Sequence, residues 1–267
     1  MLGLRRIRIM IPRPALLGAT PPYYGWMMLV GIAISAIFWT RLARRDDRLL
    51  LVYFGGLLGA FLGAKVVYLL IDGWGDFQHP DWVQRWLTGK TVLGALLGGY
   101  GGVEGTKRLV GYSGATGDWF ACIVPVGVTV GRVGCLLHGC CLGEVCDHSA
   151  WWTLTDAAGA PRWPAVPVEI AFNLMALAAF LVLRRGGFLP KQHFHLYLIG
   201  YGVFRFVHEF WRATPRLWGP FSGYHGAAAA VVVLGVWGFL HRRSLEMRVG
   251  RGGALDDGIR TTILTSR

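Results

Sequence analysis

Seven stretches of mostly apolar sequence, each close to the length that crosses a bilayer, leave this chain few ways to fold. They are 23–40, 49–71, 91–109, 119–137, 166–183, 194–211 and 224–240. About 20 apolar residues in α-helix match the hydrocarbon thickness, and fewer suffice when end residues snorkel. In lipid only helices and closed barrels satisfy their own backbone hydrogen bonds. Apolar runs of this length predict helices, so the expected fold is all-α, a polytopic membrane protein with seven transmembrane helices. The third stretch is the weakest, because Glu104, Lys107 and Arg108 occupy its second half.

Composition supports this reading and narrows the partners. The 267 residues are 54% hydrophobic and only 16% charged, too apolar for an ordinary soluble domain. Twelve tryptophans suit the membrane interfaces, and 39 glycines suit closely packed membrane helices. A net charge of +12 in a soluble protein raises nucleic acid as a partner. Here basic loops facing anionic lipid explain it better, and no nucleic-acid partner is expected. Arg5, Arg6 and Arg8 resemble a charged leader, but Pro12, Arg13 and Pro14 interrupt the apolar stretch that should follow. The chain therefore divides into an N-terminal interfacial arm, 1–22, a membrane domain, 23–241, and a polar, mobile tail, 242–267.

The basic residues predict an orientation. Arg41, Arg44, Arg45 and Arg48 follow the first stretch, Lys107 and Arg108 the third, Arg184, Arg185 and Lys191 the fifth, and an arginine-rich tail the seventh. The other loops hold only Arg85, Lys90, Arg162 and Arg216. The positive-inside rule puts the carboxyl terminus in the cytoplasm and the amino terminus outside, against the four arginines of the arm.

Charges inside apolar runs are costly and are functional candidates by default. Lys65, Arg132, Glu169, Arg205, His208, Glu209 and Arg212 qualify. Arg205, His208, Glu209 and Arg212 fall at i, i+3, i+4 and i+7, which predicts one charged helix face. A structural ion-pair network is the plainer reading, and for Lys65 snorkelling is. Several inward arginines also suit an anionic ligand, because guanidinium is always charged and offers forked donors to phosphate. In a membrane such a ligand is a phospholipid head group. Arg132 opens the densest motif, Gly131–Gly143, in which Gly131, Gly134, Gly139 and Gly143 alternate with Cys135, His138, Cys140 and Cys141.

These residues resemble the bacterial prolipoprotein diacylglyceryl transferases, over most of the chain from Tyr24 to about Pro215. Tyr24-Gly25 is similar to the family's first-helix Tyr-Gly, and Gly63-Ala64-Lys65-Val66-Val67-Tyr68 to its Gly-Ala-Arg-x-x-Tyr. Gly117-Asp118 with Pro125 matches its Asp…Pro pattern. Gly131-Arg132-x-Gly134 with Gly139 and Gly143 follows its Gly-Arg-x-Gly signature. Arg162-Trp163-Pro164 through Glu169, and Phe204-Arg205 through Glu209-Phe210-Trp211-Arg212, follow its later motifs. The resemblance implies transfer of the diacylglyceryl group of phosphatidylglycerol to a lipobox cysteine thiol. It implies a multi-pass protein of the bacterial inner membrane, with phosphatidylglycerol, bilayer lipid and a prolipoprotein signal peptide as partners. It implies no metal or organic cofactor, and a monomer is expected. Arg132 would bind the head-group phosphate and Arg205 would stabilise the leaving phosphate. Tyr24, Glu209 and Arg212 would line or brace the site, Glu169 would hold a neighbouring loop, and Gly131, Gly134 and Gly143 would shape it.

The chain departs from the family's pattern where polar chemistry is expected. Leu93 stands where the third-span motif carries a histidine. Cys135 and His138 replace signature asparagines, Cys140 replaces a glutamate, and Trp163 and Val168 replace a histidine and a tyrosine. His138 is the nearest replacement base, and a divergent paralogue that binds phospholipid or uses another acceptor is the alternative. Cys135, Cys140, Cys141 and Cys146 lie within twelve residues. In an outward loop they could form disulfides, with Cys140 or Cys141 bridging to Cys135 or Cys146. They could also be weak metal ligands, or the centre of a membrane thiol-redox or metal-handling protein. Cys122 is expected in the core, and His79, His193 and His195 in solvated or interfacial positions. His225 is expected within reach of the site but in no special role.

Overall fold

The computed structural model describes residues 23–265 apart from 79 and 81, with side chains of the last helix followed to Ser244. The N-terminal arm and His79 lie outside the described residues. Among the described residues the chain is mostly helical. The helices are α1 (Tyr23–Ala43), α2 (Arg48–Ile71), α3 (Gly73–Asp76), α4 (Trp82–Thr88), α5 (Val92–Leu109), α6 (Gly117–His138), α7 (Ala165–Arg185), α8 (His193–His208) and α9 (Gly223–Thr265). A small hairpin pairs β1 (Leu154–Thr155) with β2 (Pro161–Arg162), and a 3-10 turn, Glu209–Trp211, follows α8.

Every one of the seven apolar stretches is helical. Five of these helices, α1, α2, α6, α7 and α9, are long and apolar enough to cross a membrane. The other two differ for visible reasons: α8 has 16 residues, and α5 carries Glu104, Lys107 and Arg108 in its 18. Outward-facing Leu58, Phe61, Leu70, Met175 and Val182 are exposed, as lipid-facing side chains are. Two expectations need correction. The sixth stretch, read to 211, leaves α-helix at His208. His193 and His195, expected at solvated or interfacial positions, are 2% and 5% exposed. His193 is buried because Asp118, at the start of α6, accepts from the backbone N–H groups of Lys191 and His193 and faces the His193 ring. The polar tail continues α9 as helix to Thr265.

Two helix pairs organise the bundle around α6. Helix α6 packs against α1, α7 and α8, while α9 lies along α8. The main core joins Leu93 and Leu96 of α5, Ala121 of α6, Tyr197, Leu198 and Tyr201 of α8, and Ala228 and Val231 of α9. Leu93 is fully buried there, so the position where the resemblance leads one to expect a histidine is dry and apolar. Cys122 is buried, as expected of a core residue.

Helix α5 fails the simple hydropathy test yet is the best-seated helix, and glycines explain it. Gly55, Gly59 and Gly63 of α2 face Gly102, Gly98 and Gly94 of the antiparallel α5. A Cβ on any of the six would overlap the opposite backbone, carbonyl oxygens included, except at Gly55, where the Thr106 hydroxyl is nearest. Both rows repeat every four residues, so the contact runs along one face of each helix. Backbone-to-backbone packing at this range substitutes for apolar burial in holding a polar-ended helix. We expect Gly98→Val to separate α2 from α5 at a cost of about 1–3 kcal/mol or more. A melting curve of the detergent-purified protein unchanged by Gly98→Val would refute this.

Candidate active site

The charged residues converge where α6, α7 and the end of α8 meet. Glu169 of α7 is 0% exposed and is reached from three sides. Arg132 of α6 places Nε 2.9 Å from its Oε1, and the Tyr201 hydroxyl donates to the same oxygen at 2.7 Å. Arg212 places Nη1 3.7 Å from Oε2. Glu209, also 0% exposed, forms the second centre. Arg205 Nη1 lies 2.5 Å from its Oε2 and Arg212 Nε 3.7 Å from the same oxygen. Thr214 and Ser222 hydroxyls donate to Oε1 at 2.6 and 3.1 Å. Arg212 thus bridges the two carboxylates.

The predicted helical stripe is corrected in its geometry. Arg205 and His208 lie on the last turn of α8, Glu209 opens the 3-10 turn, and Arg212 is extended, with φ −97° and ψ 142°. The convergence survives because the backbone of Arg212 is held separately. Gly143 and Arg212 form an isolated antiparallel bridge, Glu144 N–H donates to Trp211 O at 2.9 Å, and Trp163 N–H donates to Glu144 O at 3.0 Å. Gly143 has to be glycine here, since a Cβ would strike the Trp163 backbone. Arg216 locks the same region, donating to Glu144 Oε1 at 2.6 Å and to the carbonyls of Glu209 and Phe210.

The electrostatics of this cluster are unbalanced in one direction. Three guanidiniums, Arg132, Arg205 and Arg212, face two carboxylates, so the cluster carries one excess positive charge. Arg205 Nε is buried without a hydrogen-bond acceptor, and both Arg212 ion pairs, at 3.7 Å, are too long for hydrogen bonds. Buried donors without acceptors are costly and favour an anion with several oxygens. Removing one carboxylate would leave buried guanidinium uncompensated. Glu169→Gln is therefore expected to destabilise the detergent-purified protein by about 3–5 kcal/mol. Asp46→Asn, which removes an exposed pair with Arg48, is expected to cost at most about 1 kcal/mol. Equal thermal shifts for the two variants would contradict the buried-pair assignment.

The remaining sequence candidates divide clearly. Tyr24 lies over the same end of α6, its Cα close to Gly134, within electrostatic reach of Arg132, Cys135 and Cys141, with Lys90 Nζ 5.1 Å from its ring centroid. Gly131 has open space around it and lines an apolar cavity of about 350 Å³ with Met27, Trp39, Leu57, Leu96 and Phe120. His138 is exposed at the end of α6 and, among the described residues, has no side-chain hydrogen bond or ion pair to orient it. The structure does not bring it into the arginine–glutamate cluster. Lys65 donates to the carbonyls of Trp86 and Leu87, capping α4 rather than entering the site.

Several residues take part in ways the sequence did not assign. Tyr201 and Tyr197 were not singled out from the sequence; Tyr201 bonds Glu169, the Tyr197 hydroxyl donates to Asn173 and Asn173 donates to the Glu169 carbonyl. His225 is 3% exposed and accepts from Ser222, which contacts Glu209. His208 accepts from the Trp163 indole at 3.1 Å. Asp72, beyond the end of α2, receives the Tyr224 hydroxyl, and burial pushes its carboxyl above the usual range. The signal that could have found Tyr201 is its position one helical turn before Arg205.

The cysteines separate into two groups. All five are free thiols. Gly139, at φ 71°, ends α6 in a Schellman turn, with Gly139 N–H donating to Leu136 O and Cys140 N–H to Cys135 O. That turn brings Cys140 and Cys141 back over Cys135. The three sulfurs lie within 4.8 Å of one another, and Cys135 Sγ is 3.9 Å from Arg132 Nη1. Cys146 instead follows the hairpin, its N–H donating to Pro161 O.

A helical membrane bundle with a buried arginine–glutamate cluster and an apolar cavity that reaches Gly131 fits the class of lipid-handling integral membrane proteins. The comparisons specify the class: residues 16–241 match the family model of prolipoprotein diacylglyceryl transferase, and the chain belongs to that family. It is similar to the phosphatidylglycerol–prolipoprotein diacylglyceryl transferase of Pseudoalteromonas atlantica, at 32% identity over 75% of each chain. The enzyme of the same name from Methylibium petroleiphilum is 29% identical, over 79% of this chain and 80% of its own. That from Clostridium tetani is 26% identical, over 72% and 81%.

Proposed function

We propose that the chain transfers the diacylglyceryl group of phosphatidylglycerol to the thiol of a lipobox cysteine in prolipoproteins. The thiol gives up its proton, a carbon–sulfur bond forms, a carbon–oxygen bond breaks, and glycerol phosphate leaves with the electron pair of that bond and takes up the proton. The observation that carries this reading is the excess positive charge of the Arg132–Glu169–Arg212–Glu209–Arg205 cluster, with its unsatisfied buried donors. A phosphodiester supplies one negative charge and several oxygen acceptors, which matches both deficits. The apolar cavity that Gly131 lines suits acyl chains next to a head group held by Arg132. In our reading Arg132 holds the phosphate, Arg205 and Arg212 stabilise charge as it leaves, and Glu169 and Glu209 hold the guanidiniums in place. Tyr24, Gly134 and Gly143 shape the rim.

The topology we propose has seven spans, with α5 and α8 crossing inside the bundle under cover of their partners. Residues 23–241 form one membrane domain between an interfacial N-terminal arm outside and a mobile cytoplasmic tail. The chain works in the bacterial inner membrane, and one chain supplies every residue of the cluster, which suits a monomer.

The test is complementation of a host depleted of its own enzyme, together with lipidation of a lipobox peptide read as a mass shift. Arg132→Ala and Arg205→Ala are each expected to lower transfer by about 10²–10³-fold, as removal of a preorganised donor does. His138→Ala is expected to retain most activity, because nothing orients the ring; a loss of about 10²–10⁴-fold would assign it as the base. A well-expressed, membrane-inserted wild-type chain that transfers no lipid would overturn the reading.

A further inference from the structure

Three cysteine sulfurs sit together beside the arginine cluster, and the proposed transfer uses none of them. We propose that Cys135, Cys140 and Cys141 form a three-thiolate site for a soft monovalent cation, copper(I). The proposal rests on a separation, a turn and a charge.

The separation is that of a metal–thiolate triangle. A closed-shell ion about 2.3 Å from three sulfurs in a trigonal arrangement sets the sulfurs about 4.0 Å apart. Cys135 Sγ and Cys141 Sγ are 4.0 Å apart, and the third sulfur lies within 4.8 Å of both. Among the described residues no histidine or carboxylate joins the three. Structural zinc sites take four protein ligands, whereas three soft thiolates with no fourth protein ligand beside them suit copper(I).

The turn holds this arrangement without help from the metal. The Schellman end of α6 sets the residue four before Gly139 against the residue after it, here Cys135 and Cys140. Cys141 then adopts φ 60°, a left-handed conformation uncommon for a residue with a Cβ. A backbone held in such a conformation is found where side chains are positioned for a task. Cys135 is buried, while Cys140 and Cys141 are half-buried, so the triangle has one dry corner and an open edge.

The charge is compensated in part. Binding releases three protons, and three thiolates with copper(I) carry two negative charges. Arg132 Nη1 lies 3.9 Å from Cys135 Sγ, and the arginine cluster beneath carries its excess positive charge. No electron is transferred.

The experiment titrates full-length, detergent-purified protein, reduced and stripped of metal, with copper(I) buffered by a competing chelator under anaerobic conditions. We expect one copper(I) per chain, and X-ray absorption reporting three sulfurs at about 2.3 Å. Cys135→Ser, Cys140→Ser and Cys141→Ser should each weaken binding by more than about 100-fold, since loss of an outer-shell partner already costs 10–100-fold. Cys122→Ser and Cys146→Ser should leave it unchanged. Wild-type binding no tighter than that of the Cys135→Ser/Cys140→Ser/Cys141→Ser variant would overturn the proposal. So would a two-sulfur absorption signature, or zinc bound in preference to copper(I). The absorption measurement on the wild-type chain decides even if a serine variant fails to fold, and none of these readouts depends on lipid transfer.

Discussion

Two fully buried carboxylates hold three guanidiniums inside an otherwise apolar bundle, and much of the architecture follows from keeping that arrangement. An isolated charge in such an interior is prohibitively costly, so each must face an opposite charge. Glu169 draws Arg132 from α6, Tyr201 from α8 and Arg212 from the segment beyond it onto one helix, α7. Glu209 draws in Arg205, Thr214 and Ser222 and so ties the entry of α9 to the end of α8. The cluster is a structural keystone, and in our proposal its uncompensated positive charge is what receives the lipid phosphate.

That double duty explains the irregular backbone around it. If α8 continued as helix, Arg212 would stay on the stripe with Arg205 and Glu209, above a single carboxylate. Leaving the helix at Glu209 lets Arg212 reach both Glu169 and Glu209. The extended segment then requires partners for its backbone, which Gly143, Glu144 and Trp163 provide from the loop after α6. The glycines of the Gly131–Gly143 motif have different tasks: Gly134 admits α1, Gly139 turns the chain and Gly143 lets Trp163 pass.

The substituted positions show what this chain does with the polar sites that the family resemblance leads one to expect. Leu93 packs into the core against the aromatic ladder of α8. Trp163 stacks on Trp211 and gives its indole N–H to His208, keeping the region polar but bulkier. Cys135 and Cys140 fall on the two positions that the Schellman turn presses together. Two positions where the resemblance leads one to expect polar groups thus carry thiols, and the turn presses them together.

The apolar runs determined the seven helices, because in a membrane a long apolar stretch has no other way to satisfy its backbone. The i, i+3, i+4, i+7 spacing of Arg205, His208, Glu209 and Arg212 was legible as a charged group facing protein or ligand, and Arg132 as its companion. The sequence could not reveal that Arg212 bridges two carboxylates, since that depends on where α8 stops being helix. Nor did it reveal that α5, too charged by hydropathy, is seated by glycine rows paired across an antiparallel contact. The burial of His193 and His225 was equally hidden, because each is covered by residues distant in the chain. Spacing along one helix is written locally; whether three thiols converge is decided by the turn the backbone takes at Gly139, and which buried charge meets which only when separate helices are brought within a few ångströms.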